Sequence, residues 1–245
     1  MKVAIISDIH SNLEALTECV RVANEHGVEK YVCLGDFVGY GPEPAAVMDM
    51  LLALPGFTCI VGNHEEFLFD ERDNDSPAKQ KYAKSWTLSQ LSEAQLDYIS
   101  RLSYIEVADG VTYVHATTHE DSGWVYINNT SHALKCLQYA KTPVVFYGHV
   151  HVPMIYHEKP DKSISAVVPE RDETLVLQEG HRYVINTGSV GQPRDNNPDS
   201  SFVIYDTDLR SVTFYRVAYD IKTTAEKIRA CGLVEDSADR LLTGR

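Results

Sequence analysis

Carboxylate, amide and imidazole side chains recur along this chain, each close behind a short apolar segment. Such groups bind divalent cations and transfer protons. Oxygen and nitrogen donors without a thiolate suit Mn²⁺, Fe²⁺ or Zn²⁺. The candidate metal ligands and acid–base groups are Asp8, His10, Asp36, Asn63, His64, His115, His149 and His151.

These candidates are too numerous for one tetrahedral ion. A carboxylate between two ions can bind both, and ion pairs about 3.5–4 Å apart are common in phosphate-ester hydrolysis. Taken singly the motifs are weak, because a Gly-Asp after a strand is usually a turn. Five motifs in this order, each at the end of a predicted strand, favour a joint metal site.

The elements that must position these residues alternate between strand and helix. Apolar runs predict strands at 3–7, 31–34 and 58–61, and helical spacing predicts helices at 12–26 and 43–54. This order predicts a parallel sheet with helices packed on it. Ligand sites in such sheets gather outside the carboxyl ends of the strands, so one sheet edge would hold the candidates.

The remaining two thirds of the chain predict helices first and strands later. We expect one two-sheet domain over residues 1–245 rather than two domains. The expected elements are helices at 78–91, 92–102 (opened by a capping box of Ser92 and Gln95) and 130–140, strands at 104–107, 111–115, 144–147 and 183–186, a hairpin of 202–205 with 212–217, and a helical tail at 223–242.

Composition indicates an ordinary globular protein. The 245 residues are 44% hydrophobic and 23% charged, with a net charge of −13. The acidic balance argues against binding to long nucleic acids or acidic membranes. Five cysteines without a close pair fit a reducing cytoplasm, and no signal peptide or membrane helix is predicted. The oligomeric state cannot be read from the sequence.

The candidate series resembles a known family. Asp8-x-His10, Gly35-Asp36, Gly62-Asn63-His64-Glu65, His115 and Gly148-His149-x-His151 are similar to the motifs of the calcineurin-like metallophosphoesterase superfamily. Within it the chain resembles small prokaryotic phosphoesterases of the YfcE-like and diadenosine-tetraphosphatase-like type. The resemblance covers nearly the whole chain and implies an α/β fold, a four-layer α-β-β-α sandwich of two mixed sheets flanked by helices.

The resemblance also implies two divalent ions, with Mn²⁺ favoured and Fe or Zn²⁺ as alternatives. It assigns one ion to Asp8, His10, Asp36 and His151, and the other to Asp36, Asn63, His115 and His149. Asp36 is then the bridge, and His64 lies beside the ions as the general acid. The family's third motif often ends in Asp, so whether Glu65 orients His64 stays open.

The expected activity is hydrolysis of a small phosphate ester, a phosphodiester or a nucleotide-type substrate, by a hydroxide held between the cations. One alternative is a metal-binding scaffold of weak activity, which the presence of His64 with the full ligand set disfavours. Another is a protein phosphatase, disfavoured because Phe37-Val38-Gly39 stands in place of that branch's Asp-Arg-Gly.

Arg194 and Tyr40 are the candidate substrate contacts. Arg194 ends the Gly-rich stretch 188–194, whose backbone amides could cradle an anion while the guanidinium grips a phosphate. Arg194 could instead pair with Asp195 or Asp172. Tyr40 follows the Asp36 motif and could stack on a substrate ring or simply pack.

Two further polar stretches have ordinary explanations. His119, Glu120 and Asp121 could line a pocket or form a solvated loop, and the charge run 70–75 predicts a solvated loop. Trp124 could form a wall of the substrate site or pack in the core.

Overall fold

Two six-stranded mixed sheets form the centre of the molecule in the computed structural model, which describes residues 1–70, 77–119, 123–233 and 235–245. The strands are β1 (Lys2–Ile6), β2 (Lys30–Cys33), β3 (Thr58–Cys59), β4 (Ile105–Ala108), β5 (Val111–Val114), β6 (Val144–Tyr147), β7 (Met154–Glu158), β8 (Ile164–Val167), β9 (Thr174–Val176), β10 (Arg182–Asn186), β11 (Ser200–Asp206) and β12 (Ser211–Val217). The helices among the described residues are α1 (Leu13–Glu25), α2 (Pro44–Leu52), α3 (Asn63–Phe69), α4 (Ala78–Gln90), α5 (Glu93–Ser100), α6 (Thr130–Tyr139), α7 (Ile221–Ala230) and α8 (Glu235–Thr243).

The first sheet has the order β3-β2-β1-β11-β12-β9. Strands β1, β2 and β3 are parallel, as the alternation of strand and helix predicts, whereas β11 joins β1 antiparallel. Helix α1 begins where the Asn12 side chain accepts a hydrogen bond from the Ala15 amide, and it ends before Gly27, whose φ of +71° suits glycine. The sheet therefore directs the ends of β1, β2 and β3 to one edge.

The second sheet has the order β4-β5-β6-β10-β7-β8. Strands β5, β6 and β10 are parallel, so the ends of β5 and β6 lie at the same edge. A turn at Asp109 and Gly110 joins β4 to β5, with φ of +56° and +76° at these residues. Positive φ at both central residues is typical of tight hairpin turns.

The core has three layers of apolar packing. Ile5 and Val32 of the first sheet pack on Phe146 and Ile185 of the second. On the outer faces, α1, α2 and α5 cover the first sheet and α6 covers the second. These packed layers confirm the expected four-layer sandwich.

The C-terminal helices pack on the helices that cover the outer face of the first sheet. Helices α7 and α8 pack on α4, and Thr224 of α7 donates to the Asn12 side chain at the start of α1. The predicted helical tail is confirmed, and so is the capping box that opens α5. No helix in the described ranges is long and apolar enough to cross a membrane.

Two differences from the expected elements concern the first half of the chain. Helix α3 was not predicted, and β3 is shorter than the expected 58–61 because Val61 donates its amide to Ser103 instead of to a strand. The predicted polar loops at 71–75 and at Glu120 and Asp121 lie outside the described residues.

Candidate metal centre

All eight predicted metal and acid–base residues lie together at the shared edge of the two sheets. Seven of them form three overlapping sets whose donor atoms lie within 4.8 Å of one another. The sets are Asp8 with His10 and His151, then His10 with Asp36 and His64, then Asp36 with His115 and His149. The eighth, Asn63, places its Oδ1 atom 3.1 Å from Nε2 of His115. The predicted clustering of strand ends is thus observed.

The first set presents ring nitrogens to a common point. His10 Nδ1 lies 3.1 Å from the Val38 carbonyl, and His151 Nδ1 lies 2.6 Å from the Gln192 carbonyl. A carbonyl only accepts, so both rings carry their proton on Nδ1 and turn an Nε2 lone pair inward. These two Nε2 atoms are 3.2 Å apart, and Asp8 Oδ1 lies 3.2 Å from Nε2 of His151. Two facing lone pairs and a carboxylate fit a divalent cation.

The third set, of Asp36 with His115 and His149, is arranged in a similar way. His115 donates from Nδ1 to the Leu34 carbonyl at 2.7 Å and points Nε2 at Asp36 Oδ2, 3.2 Å away. His149 uses its ring nitrogens the other way round. Its Nε2 donates to the Trp124 carbonyl at 3.0 Å, so Nδ1 faces the centre. Backbone carbonyls that fix the tautomer of a histidine are typical partners of metal-binding imidazoles.

Asp36 belongs to both sides of the centre. Its Oδ2 atom lies 3.2 Å from His115 Nε2 and 3.9 Å from His10 Nε2, while its Oδ1 accepts from the His64 amide at 2.8 Å. One carboxylate oxygen therefore faces both histidine sets, and the other is held by the backbone. This arrangement fits the bridging carboxylate of a dinuclear site.

Electrostatic interactions keep Asp36 ionised, disfavour protonation of His10 and His149, and favour protonation of His115. Burial opposes ionisation of Asp36, but the neighbouring histidines, His115 foremost, hold its pKa well below its usual range. Burial lowers the pKa of His149 to about 4 and that of His10 well below its usual value. Despite burial, Asp36 raises the pKa of His115 to about 10, so a bound cation would displace a proton there.

The backbone around the centre is strained in a consistent way. Side-chain-bearing residues rarely adopt positive φ, and each such residue costs roughly 1–3 kcal/mol. Around the centre this left-handed conformation occurs, with φ between +49° and +65°, at Asp8, His10, Ser11, Asp36, Tyr40, His149 and His151. Hydrogen bonds between loops maintain it, for example from His10 N to the Asp36 carbonyl at 2.9 Å. Gly148 is required here because a Cβ atom would collide with Ser7 and Asp8.

The Glu65 side chain holds these loops together through hydrogen bonds to their backbone amides. Its side chain is fully buried and accepts from the backbone amides of Asp36 at 2.7 Å, Gly62 at 2.8 Å and Val38 at 3.0 Å. Burial and the nearby Asp36 charge raise the pKa of Glu65 to about 8, whereas the three N–H donors act in the opposite direction. In the hydrogen bonds of the described residues Glu65 thus holds the loop that carries Asp36, and it does not bind the His64 ring.

His64 lies beside the centre with its ring held by aromatic neighbours. The Tyr40 and His10 rings are 4.5 Å and 4.8 Å from it, centroid to centroid. Gly39 leaves room for the imidazole, since a Cβ atom there would collide with His64 Nδ1. Burial lowers the pKa of His64, with Asp36 opposing. The His64 ring is therefore positioned next to the candidate metal ligands.

The Gly-rich stretch 188–194 serves the backbone of the centre. Val190 and Gly191 donate their amides to the carbonyls of Ser7 and Asp8, and Arg194 donates its amide to the His151 carbonyl. These amides are occupied within the protein, so the expected anion cradle is not supported.

The guanidinium of Arg194 is oriented towards the centre. Its Nη2 donates to Gln192, its Cζ lies 5.9 Å from the Tyr40 ring centroid, and its buried Nε has no partner among the described residues. The alternative of a pair with Asp195 is not observed, because Arg216 bonds that carboxylate. Arg194 therefore keeps one unsatisfied donor, which is buried beside the Tyr40 ring.

Two residues near the centre make hydrogen bonds that the motifs did not indicate. Trp124 accepts from His149 through its carbonyl and donates from its indole to Glu66 at 2.6 Å. An aromatic residue after the His115 motif was a possible signal for Trp124, and no pattern pointed to Glu66.

Comparisons with known proteins agree with this geometry. The family model described as the calcineurin-like phosphoesterase superfamily domain matches residues 1–210. An uncharacterized protein of Methanocaldococcus jannaschii is 33% identical over 99% of this chain and 98% of its own length. The crystal structure of a metallophosphoesterase from Sphaerobacter thermophilus is similar with a TM-score of 0.89 and 34% identity, covering 100% of this chain and 99% of that one. A hypothetical protein from Pyrococcus horikoshii OT3 shares the fold, with a TM-score of 0.76 at 20% identity and coverage of 100% and 98%.

Proposed function

The chain belongs to the calcineurin-like phosphoesterase superfamily, and from that premise we propose a dinuclear-metal phosphoesterase that hydrolyses small phosphate esters of the phosphodiester or nucleotide type. The observation that carries this proposal is the position of Asp36, whose Oδ2 atom faces His10 on one side and His115 on the other. The absence of thiolates from the three donor sets supports Mn²⁺ as the favoured ion, with Fe or Zn²⁺ as alternatives.

Two divalent cations bound there would supply water of lowered pKa and would offset the negative charge of phosphate oxygens. Asp8 and Asp36 balance part of that positive charge and leave the centre attractive to an anion. The Arg194 guanidinium donates to a phosphate oxygen in this proposal, which fixes the orientation of the ester.

His64 protonates the leaving oxygen in this proposal. Its backbone amide donates to Asp36 Oδ1 at 2.8 Å, so the acid keeps a constant distance from the bridging carboxylate. Tyr40 and His10 restrict rotation of its ring. A general acid in a fixed position contributes about 10²–10⁴-fold to the rate of such a reaction.

Turnover of two chromogenic esters tests the proposal. The protein is loaded with Mn²⁺ and assayed with p-nitrophenyl phosphate and bis(p-nitrophenyl) phosphate. We expect turnover that a chelator abolishes. Asp36→Asn should remove activity and weaken Mn²⁺ binding in calorimetry, whereas the exposed Asp239→Asn should change neither. A folded protein that binds Mn²⁺, Fe²⁺ or Zn²⁺ but turns over neither ester would instead be the metal-binding scaffold.

Composition supports the cellular part of the proposal. The net charge of −13 favours small esters over long nucleic acids. All five cysteines are free, which is consistent with a reducing compartment. We therefore propose a cytoplasmic enzyme in which residues 1–245 act as one domain.

A further inference from the structure

Two cavities open onto the metal centre. One, of about 440 Å³, is lined by Asn63 and His64 and is called the first chamber. The other, of about 850 Å³, is lined by His115 and is called the second chamber. Asn63 Oδ1 and His115 Nε2 are only 3.1 Å apart. Both chambers therefore reach the same ligand atoms, where a phosphate bound to the ions would lie.

A wall built by Trp124 and Glu66 separates the chambers, since both residues line both cavities. The Trp124 indole donates to Glu66 Oε2 at 2.6 Å, and the Tyr104 hydroxyl donates to Glu66 Oε1 at 2.8 Å. The Trp124 carbonyl accepts from His149, and its ring centroid is 5.5 Å from that of His115. The wall is thus fixed to the metal ligands, and a single substituent on the phosphate can occupy only one side of it.

The linings differ in chemistry. Phe67, Leu68 and Leu233 contribute apolar surface to the first chamber. Glu106 and Lys141 make the second chamber more polar. His64 lines the first chamber, so the substituent whose oxygen it protonates lies there.

We propose that this site takes phosphodiesters with two organic substituents, one in each chamber, and releases the substituent held in the first. The inference rests on the proposed phosphoesterase function. Water adds to phosphorus, the P–O bond to the first substituent breaks, and His64 gives its proton to the leaving oxygen. The water proton restores His64, so the products are an alcohol and a phosphomonoester. A phosphomonoester has one organic substituent, so it fills only one chamber and makes no contacts with the lining of the other.

Comparing the dissociation constants of two phosphinates measures how much the second chamber contributes to binding, without any reaction taking place. Dibenzylphosphinate has two arms and benzyl(methyl)phosphinate has one. Both carry a single negative charge and have P–C bonds that cannot be hydrolysed. For the Mn²⁺-loaded protein we expect dibenzylphosphinate to bind about tenfold tighter in calorimetry, because a second arene is buried. Equal dissociation constants would overturn the proposal.

Variants that fill one chamber locate each arm. Ser103 is exposed and lines the second chamber, so Ser103→Trp should make the two phosphinates bind equally. Val107→Trp fills the same chamber from β4 and should act alike if Ser103→Trp does not fold. Val176→Trp, at an exposed position of β9 that lines neither chamber, should preserve the tenfold difference.

Kinetics assign the leaving arm. Bis(p-nitrophenyl) phosphate and methyl p-nitrophenyl phosphate share a leaving group and differ in the other arm. Ser103→Trp should lower kcat/KM for the first ester about tenfold and spare the second, whereas Gln80→Trp in the first chamber should lower both equally. The reverse pattern, or equal effects of the two variants, would refute the assignment.

Different results would contradict the phosphoesterase function and the two-chamber inference. If no ester is turned over while dibenzylphosphinate still binds more tightly, the phosphoesterase function is wrong. If esters are turned over but the second arm gains nothing in binding, only the two-chamber inference is wrong.

Discussion

Replacing Glu65 by glutamine tests whether its carboxylate holds the loops of the centre together. The two oxygens accept three backbone N–H bonds, two on Oε2 from Asp36 and Gly62 and one on Oε1 from Val38. In Glu65→Gln the amide oxygen can replace Oε2, but the NH₂ group then meets the Val38 N–H. That donor is buried and left without an acceptor.

The expected cost follows from these bonds. Losing one charge-assisted bond costs about 1.5–3 kcal/mol, and making the other two neutral costs about 0.5 kcal/mol each. Removing a buried negative charge next to Asp36 offsets part of this loss, because burial and the Asp36 charge raise the pKa of Glu65 and disfavour its ionised form. We expect a net loss of about 2 kcal/mol in the free energy of unfolding. For a chain of this size that lowers Tm by about 4–8 °C.

Urea unfolding of the chelator-treated protein at pH 9 measures this loss, because Glu65 is ionised above its pKa of about 8. Glu226→Gln on α7 is the matched control, and its exposed side chain should cost about 0.5 kcal/mol or less. If Glu65→Gln unfolds with the same free energy as the control, the carboxylate does not hold the loops and the reasoning is refuted.

Four other expectations can be measured directly. His64→Gln should lower kcat about 10²–10⁴-fold and leave Mn²⁺ affinity unchanged in calorimetry; a parallel loss of affinity would make His64 a ligand instead. Arg194→Lys should raise KM about tenfold through loss of its guanidinium donor, and an unchanged KM would remove Arg194 from the substrate contacts. Mn²⁺ at a hundred times its dissociation constant should stabilise the fold by about 2.7 kcal/mol per site, seen as a rise in Tm that Asp36→Asn reduces. Burial, His181 and Lys159 lower the pKa of His157, so protonation favours the unfolded chain and stability should fall as the pH drops below about 6.5. His157→Gln should lose less unfolding free energy than the wild type between about pH 7.5 and 5.5, and an equal loss would exclude His157 as the cause.

The sequence predicts the centre well because its residues stand at strand ends. Asp8, Asp36 and His115 each follow a run of apolar residues, and parallel pairing alone brings such positions to one edge. The family motifs then provide the proposed assignment of these side chains to two ions. Neither step requires knowledge of the long-range strand order, which is why the site was more predictable than the sheets.

The unpredicted features depend on contacts between distant segments. Helix α3 is short and begins inside a motif, and its one local signal was the third helical residue, Glu65, whose carboxylate accepts from the Gly62 amide. The left-handed backbone at His149 and His151 is set by the loops around it, because a residue with a side chain rarely adopts this conformation without such support. The bond from Trp124 to Glu66 spans 58 positions, so no local pattern could indicate it.

The antiparallel pairing of β1 with β11 has a consequence for synthesis on the ribosome. The first strand to be made is flanked by β2 on one side and by residues 203–206 on the other. Until those residues emerge, one edge of β1 has no strand to pair with. The carbonyls of Ser7 and Asp8 likewise lack the hydrogen bonds that they later accept from the amides of Val190 and Gly191. At about 5–20 residues per second, the wait between the emergence of Asp8 and that of β11 lasts roughly 10–40 s. Every proposed metal ligand has been translated before the loop that secures the first of them, so the proposed centre is completed only as translation nears its end.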